Sequence, residues 1–385
     1  MLESLARFVS YRSISSERGD YTEGCRRGAT FLRTLLQRSG AETKLLNTEN
    51  NCNPIVLSRF SGRSRNSSSR KRILFYGHYD VVGATDGKDK WRTDPFRLEG
   101  INGFLYGRGV SDNKGPIIAA IYAAAELVAE QRLDADIIFL IEGEEECGSR
   151  GLEAAVRQHK RLIGDIDWIL AANSYWIDDD VPCLTYGLRG VIHSTVSVES
   201  SFPDLHSGVD GSTLIDEPLQ DLVAILSKLK GLHGRVQIPE FYKDVPGITK
   251  AERERYTAIT DALILRNPSL KDADLLADSL IKRWQEPTLT VHRMKVSGPE
   301  NAAIIPRLAR AAVSIRLVPN QDVAKIRDQL VNFLQSEFRK LDTLNQITIT
   351  INQQAEPWLG DPDNAIFQTL EEAIIDVWGL AKEQS

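Results

Sequence analysis

Nothing in the 385-residue chain approaches the roughly 18 consecutive apolar positions of a membrane-spanning helix. Cysteine is sparse, and Cys25, Cys52, Cys147 and Cys183 show no Cys-x-x-Cys spacing. That argues against a thiolate zinc site and a disulfide framework, and a reducing, cytoplasmic location is expected. Excess positive charge is missing too. The net charge of −6 leaves no electrostatic footprint for nucleic acid, so neither nucleic acid nor membrane is an expected partner. No secretory signal is expected, because MLESLARFVSYRSISSERGD places charges where its apolar core would lie. This opening reads instead as an amphipathic helix. No internal repeat is present. Histidine numbers six, and the last is His292.

What the chain does contain is an ordinary globular composition, 42% hydrophobic and 26% charged, at a length suiting two or three domains. CRRGATFLRTLLQRSG has helical apolar spacing and ends on a glycine, as helices often do. GPIIAAIYAAAELVAEQ (115–131) is a long Ala-rich helix with Pro116 in its first turn, a favoured place for proline. RILFYG (72–77), DIIFLI (136–141) and DWILAA (167–172) are short continuous apolar runs. Such runs between helices predict an α/β fold, a mostly parallel mixed sheet with helices on both faces. Near Gly187 the pattern changes. GVIHSTVSVES, TLTVHRMKVSG and LARAAVSIRLVPN alternate with a period of two, as half-buried antiparallel strands do. Residues 1–187 therefore read as the first part of one domain, 188–318 as an inserted α+β domain, and 319–385 as the second part of the first. The Ser- and Arg-rich segment 61–72 reads as a flexible hairpin tip.

Ligands of open α/β sheets bind beyond the carboxyl ends of the strands. Three apolar runs end there in polar residues: RILFYG in His78-Tyr79-Asp80, DIIFLI in IEGEEECGS, and DWILAA in Asn173-Ser174. Asp112, in GRGVSDNKGP, precedes the Ala-rich helix. Singly each has a plain reading: a structural His-x-Asp pair, a helix cap, a solvated acidic loop. Together on one sheet edge they suit metal chemistry, since a neutral imidazole and carboxylates favour zinc or manganese. Two ions about 3.5–4 Å apart need a bridging carboxylate. Hydrolysis also needs a carboxylate that is not a ligand and can take a proton from water. Adjacent glutamates on one turn can divide those tasks.

The motifs YGHYDVV, LYGRGVSDNKGP, EGEEECGS, TYGLRG and DLHSGV occur in the order seen in the two-metal exopeptidase family of carnosinases, cysteinylglycine dipeptidases and aminoacylases. The chain resembles that family from its first helix to SIRLVPN, and more faintly beyond. Its pattern is most similar to the dipeptidase branch, and within it to the peptidase-like subunit of the fungal glutathione-degrading complex. The resemblance implies a zinc-exopeptidase-like fold, with 188–318 as a lid and dimerisation domain and the rest catalytic. It implies two divalent ions, zinc or manganese, and a homodimer through the lid. His78 resembles a ligand of the first metal, with Asp80 orienting it. Asp112 matches the bridging carboxylate, and its bond to Asn113 resembles a cis peptide of the family. Glu145 matches the general base and Glu146 a ligand of the second metal. Glu142 and Glu144 are left peripheral. His206, in DLHSGV, resembles a lid histidine that enters the partner subunit's site and polarises the scissile carbonyl. Arg316 resembles the clamp for the substrate carboxylate, a task that suits a planar guanidinium. His159, His193, His233 and His292 fall in none of these motifs and are expected to be structural or solvated.

The chain departs from the family pattern in three places. Asn173 replaces an Asp ligand, and a neutral amide would hold the first metal weakly. The family's last ligand is a late histidine, whereas none follows His292 here. Ala303 replaces a threonine that contacts substrate in the dipeptidases. The pattern also continues past IIDVWGLAKEQS with strands and a glycine-rich loop. A truncated chain, a fragment, or a subunit that no longer needs full metal chemistry is therefore expected. Three functions stay open. One is a metallopeptidase cleaving di- or tripeptides by a metal-activated water, in the breakdown of glutathione or peptides derived from it. Another is a weakly active or inactive scaffold whose partner, a glutamine-amidotransferase-like subunit, does the chemistry. The third is an aminoacylase-type amidohydrolase.

Overall fold

The computed structural model describes residues 1–16, 20–48, 51–64, 70–84, 91–173, 176–177, 182–211 and 215–379. The centre of the segment expected as a hairpin tip, and Ser174, lie outside these. The chain divides into two compact units, Met1–Tyr175 and Trp176–Ser385.

In chain order the first unit holds α1 (Leu2–Ser10), α2 (Asp20–Arg38), β1 (Glu42–Leu46), β2 (Ile55–Phe60), β3 (Arg72–His78), β4 (Glu99–Ile101) and β5 (Phe104–Tyr106). It continues with α3 (Gly115–Ala129), β6 (Asp136–Glu142), α4 (Leu152–Gln158), α5 (Lys160–Ile163) and β7 (Trp168–Ala171). The sheet order is β1-β2-β6-β3-β7. β3 lies parallel to β6 and β7, whereas β2 runs antiparallel to β1 and β6. The sheet is therefore mixed, as expected. Its central strands are apolar on both sides because both faces are covered. Phe75, Phe139 and Ile141 pack with Phe8, Leu32, Ile117 and Ile121 on the α1, α2 and α3 side. Leu74, Ile138 and Leu140 pack with Ala155 and Ile163 on the α4 and α5 side. Parallel β3 and β6 end level, His78 opposite Glu142, so both polar segments leave the same sheet edge.

The second unit holds β8 (Gly187–Leu188), β9 (Gly190–Glu199), β10 (Leu205–His206), α6 (Pro218–Leu226), α7 (Lys250–Arg266), α8 (Ala273–Gln285) and β11 (Thr288–Val296). Then come β12 (Ile304–Ile305), β13 (Leu308–Leu317), α9 (Val323–Arg339), β14 (Gln346–Ala355), β15 (Trp358–Leu359) and α10 (Ala365–Trp378). Four of these strands form an antiparallel sheet, β11-β13-β9-β14. Its alternating residues bury one face, Ile192, Val196, Val313 and Ile315 meeting Leu222 and Ile225 of α6 and Leu330 and Leu334 of α9. The boundary expected at 318 thus falls inside this unit. α9 presents Val323, Ile326 and Leu330 to the core, and β14 closes the sheet beside β9. No helix among the described residues is long and apolar enough to cross a membrane.

Candidate metal centre

His78 ends β3 and is fully buried. Its Nδ1 faces Asp80, 3.1 Å from the Asp80 carbonyl and 3.4 Å from Oδ1, while Nε2 lies 2.8 Å from Asp112 Oδ1. The imidazole is thereby oriented from one side and presented from the other, the usual arrangement behind a metal-binding histidine. Asp112 sits in an irregular helical turn, Val110–Lys114, and its bond to Asn113 is cis. Two contacts fix that turn, one to β3 and one just beyond the end of β7. Asn113 Oδ1 accepts from the His78 backbone at 3.3 Å, and Asn113 Nδ2 donates to the Ala172 carbonyl at 2.8 Å. Gly77 makes the approach feasible, because a Cβ there would stand 2.5 Å from Asn113 Oδ1. On the far side, buried Lys114 donates to the carbonyls of Phe8 and Tyr11 at 3.0 and 2.8 Å, tying the turn to α1.

Glu145 and Glu146 lie on a single short turn, Glu145–Cys147, closed by Gly148 at φ 86°. Asp80 holds that turn as well as His78. Its Oδ1 accepts from the Glu145 backbone at 3.2 Å, and Oδ2 accepts from the Glu146 backbone at 3.1 Å and from Ser15 Oγ at 2.6 Å. Glu144, expected at the periphery, is 4% exposed and is a second anchor. Its Oε1 accepts from the Asn53 backbone and side chain at 2.9 and 2.8 Å, and Oε2 from Arg150 Nε at 2.9 Å and from Nη2. Glu142 is likewise buried and accepts from the Tyr76 hydroxyl at 2.7 Å. An acidic run in sequence is thus two buried anchors and two half-buried carboxylates facing the site. Asn53 and Ser15 carry no motif that would have marked them beforehand.

His78, Asp112 and Glu146 offer ligand atoms that all lie within 4.8 Å of one another. Bonds of about 2.0–2.2 Å hold the ligands of one ion no more than about 4.4 Å apart. The trio lies within a comparable span, His78 Nε2 and Asp112 Oδ1 being 2.8 Å apart, and Asp112, 38% exposed at its side chain, has room to adjust. One imidazole with two carboxylates therefore fits a divalent ion. Glu145 Oε2 stands 3.9 Å from His78 Nε2, beside the trio and not part of it. Asn173 adjoins the same place, its Oδ1 accepting from Asn113 Nδ2 at 3.3 Å. Burial raises the Glu145 carboxyl, and Asp80 and Asp112 add to that while His78 opposes it. Glu146 is raised by burial and by Asp112. Burial disfavours a charged His78, but its hydrogen bonds to Asp112 and Asp80 prevail and push it up to about 10.

The second unit carries the remaining site candidates. His206 is exposed at the end of β10, next to Ala303, whose carbonyl accepts from the Ser207 backbone at 2.8 Å. His206 Nδ1 accepts from the Gly208 backbone at 3.1 Å, so in the neutral ring the proton sits on Nε2, which faces outward as a donor. Arg316 is exposed on β13. The other histidines have local settings: His159 joins α4 to α5, and His292 Nε2 lies 2.7 Å from Ser314 Oγ.

A helix-covered mixed sheet whose strand ends gather an imidazole and carboxylates is the frame of a metal-binding α/β protein. Residues 74–385 match Peptidase family M20/M25/M40, and the chain belongs to that family. It is 40% identical over 388 residues to the Saccharomyces cerevisiae protein named "Probable di- and tripeptidase DUG2", covering 99% of this chain and 43% of that one. It is 34% identical to the human Beta-Ala-His dipeptidase, covering 85% of this chain and 65% of the relative. Among solved structures, human carnosine dipeptidase 1 matches with a TM-score of 0.83 at 31% identity, over 98% of this chain and 82% of that one. The chain therefore spans less than two thirds of the length of these two sequence relatives.

Proposed function

We propose that this chain carries the metal-binding core of a di- or tripeptidase acting on glutathione or peptides derived from it. The observation that carries the reading is the convergence of His78, Asp112 and Glu146 ligand atoms with Glu145 alongside. His78 and Asp112, with the Asn173 amide, would hold one ion, and Asp112 and Glu146 a second. Zinc or manganese suits this donor set. When bound, the ions polarise the peptide carbonyl and acidify water. Glu145 takes the proton from the attacking water and delivers it to the leaving amine. Its raised pKa suits both halves of that task. Asp80 keeps the imidazole and the glutamate turn in register during the transfer. The outward Nε2–H of His206 polarises the scissile carbonyl at a partner subunit's centre, which requires a homodimer through the second unit. Arg316 takes the substrate carboxylate. The cysteine spacing supports a cytoplasmic setting.

The test is Glu145→Gln. It is expected to abolish hydrolysis of dipeptides while bound metal per chain stays at the wild-type level. Retained hydrolysis contradicts the assignment.

A second reading is favoured by Asn173, whose amide oxygen is neutral and already engaged by Asn113. In it the chain is a scaffold, and an amidotransferase-like partner performs hydrolysis. Less than one metal per chain, with peptidase activity only when that partner is added, selects this reading. An aminoacylase-type activity on the same core would show as turnover of N-acyl amino acids in preference to dipeptides.

A further inference from the structure

The second unit's sheet has one face covered by α6 and α9, and an opposite face that is strongly cationic at one end. Arg316 lies on that opposite face, as register partner of Val191 on β9 and of Thr288 on β11. Arg189 sits between β8 and β9, yet its Nη1 donates to the Glu286 carbonyl at 3.4 Å, on the β11 side. Its guanidinium therefore reaches across the end of β13, where Arg316 stands. Arg283, in the last turn of α8, belongs to the same group.

Among the described residues no carboxylate lies within ion-pairing distance of Arg189, Arg283 or Arg316, although Arg253 pairs with Asp278 and Arg307 with Glu199 in the same unit. Burial, then the charges of Arg316 and Arg283, pull the Arg189 guanidinium below its usual range. Burial, Arg316 and His292 likewise pull His193 down, so it stays neutral and the positive charge resides on the arginines. Arg189 is half-buried, and the Glu286 carbonyl occupies one of its five N–H donors. Converging guanidinium groups with spare donors are built for carboxylates, which they bind in a bidentate manner.

We propose that Arg189, with Arg283 beside it, extends the Arg316 clamp into a site for a second carboxylate, so that the same centre also takes short peptides ending in an acidic residue, besides those derived from glutathione. The proposal rests on the reading of Arg316 as the clamp for the terminal carboxylate. It adds a specificity determinant that the metal centre does not require.

Titration calorimetry on the metal-loaded protein in the Glu145→Gln background, where bound peptide is not cleaved, tests it with Ala-Asp against its neutral isostere Ala-Asn, wild type at the three arginines being the reference. Wild type is expected to bind Ala-Asp about tenfold more tightly, the effect of one charge-assisted hydrogen bond. In Arg189→Gln that ratio falls towards one while the Ala-Asn affinity is kept, which also shows that the variant is folded. Arg283→Gln lowers the ratio in part, and Arg316→Gln weakens both peptides alike. Equal wild-type affinities, no binding of either peptide, or a ratio untouched by Arg189→Gln overturns the proposal. If the Arg316→Gln affinities alone are unchanged, the clamp reading fails, and this proposal fails with it.

Discussion

Replacing Glu144 by alanine probes the buried carboxylate that holds the acidic turn. Its two partners respond differently. Arg150 is 44% exposed, so water screens its side of the pair and rehydrates it when the carboxylate is gone. That side contributes about 0–1 kcal/mol. Asn53 is buried and donates to Glu144 twice, from the backbone at 2.9 Å and from Nδ2 at 2.8 Å. Nδ2 keeps its second acceptor, the Gly143 carbonyl at 2.9 Å. Two donors are nevertheless stranded, and each costs about 1–3 kcal/mol in a buried setting. The expected destabilisation is about 2–6 kcal/mol, the sum over those two donors. Glu144→Gln retains an acceptor for Asn53 and is expected to lose about 1–2 kcal/mol. Equilibrium urea unfolding measures both. An alanine variant within about 0.5 kcal/mol of wild type, the range of an inert surface change, would refute the reasoning.

Two further outcomes follow from neighbouring groups. Asp80→Ala leaves its backbone carbonyl against His78 Nδ1 but removes the carboxylate beside that ring and the acceptor of the Glu145 and Glu146 backbones, so metal affinity should fall about 10–100-fold in chelator competition; an unchanged affinity removes Asp80 from that role. Cys25 is fully buried, and burial, with Asp80 and Glu144 adding, pushes its thiol from 9.0 up to about 12. The folded thiol therefore stays protonated where the unfolded one ionises. This contribution is intact below pH 9 and is lost as pH rises towards 12, at about 1.4 kcal/mol per unit. Stability measured at pH 8 and pH 10.5 should drop more in wild type than in Cys25→Ala, and equal drops contradict the assigned shift.

The strand ends were legible because β3 and β6 are continuous apolar runs whose first polar residues mark the sheet edge. The roles within the acidic run were not. Which glutamate turns inward depends on Asn53, Arg150 and Tyr76, partners supplied by other parts of the fold. Local sequence carries no record of them. The extent of the expected insertion was hard to read for a similar reason. The apolar stripe of α9 says that the helix packs, not against which sheet, and only the pairing of β14 with β9 settles it. His206, Arg316 and Arg189 all lie in motifs, but TYGLRG gave Arg189 no role, and it gains one only from its bond across β13 to Glu286.

The central claim is that His78, Asp112 and Glu146 form the metal centre, and metal titration of wild type beside Asp112→Ala tests it most directly. Asp112 is shared by both proposed ions, so its loss should abolish stoichiometric zinc or manganese binding, with the fold retained by circular dichroism. Wild-type stoichiometry and affinity in Asp112→Ala would contradict the account.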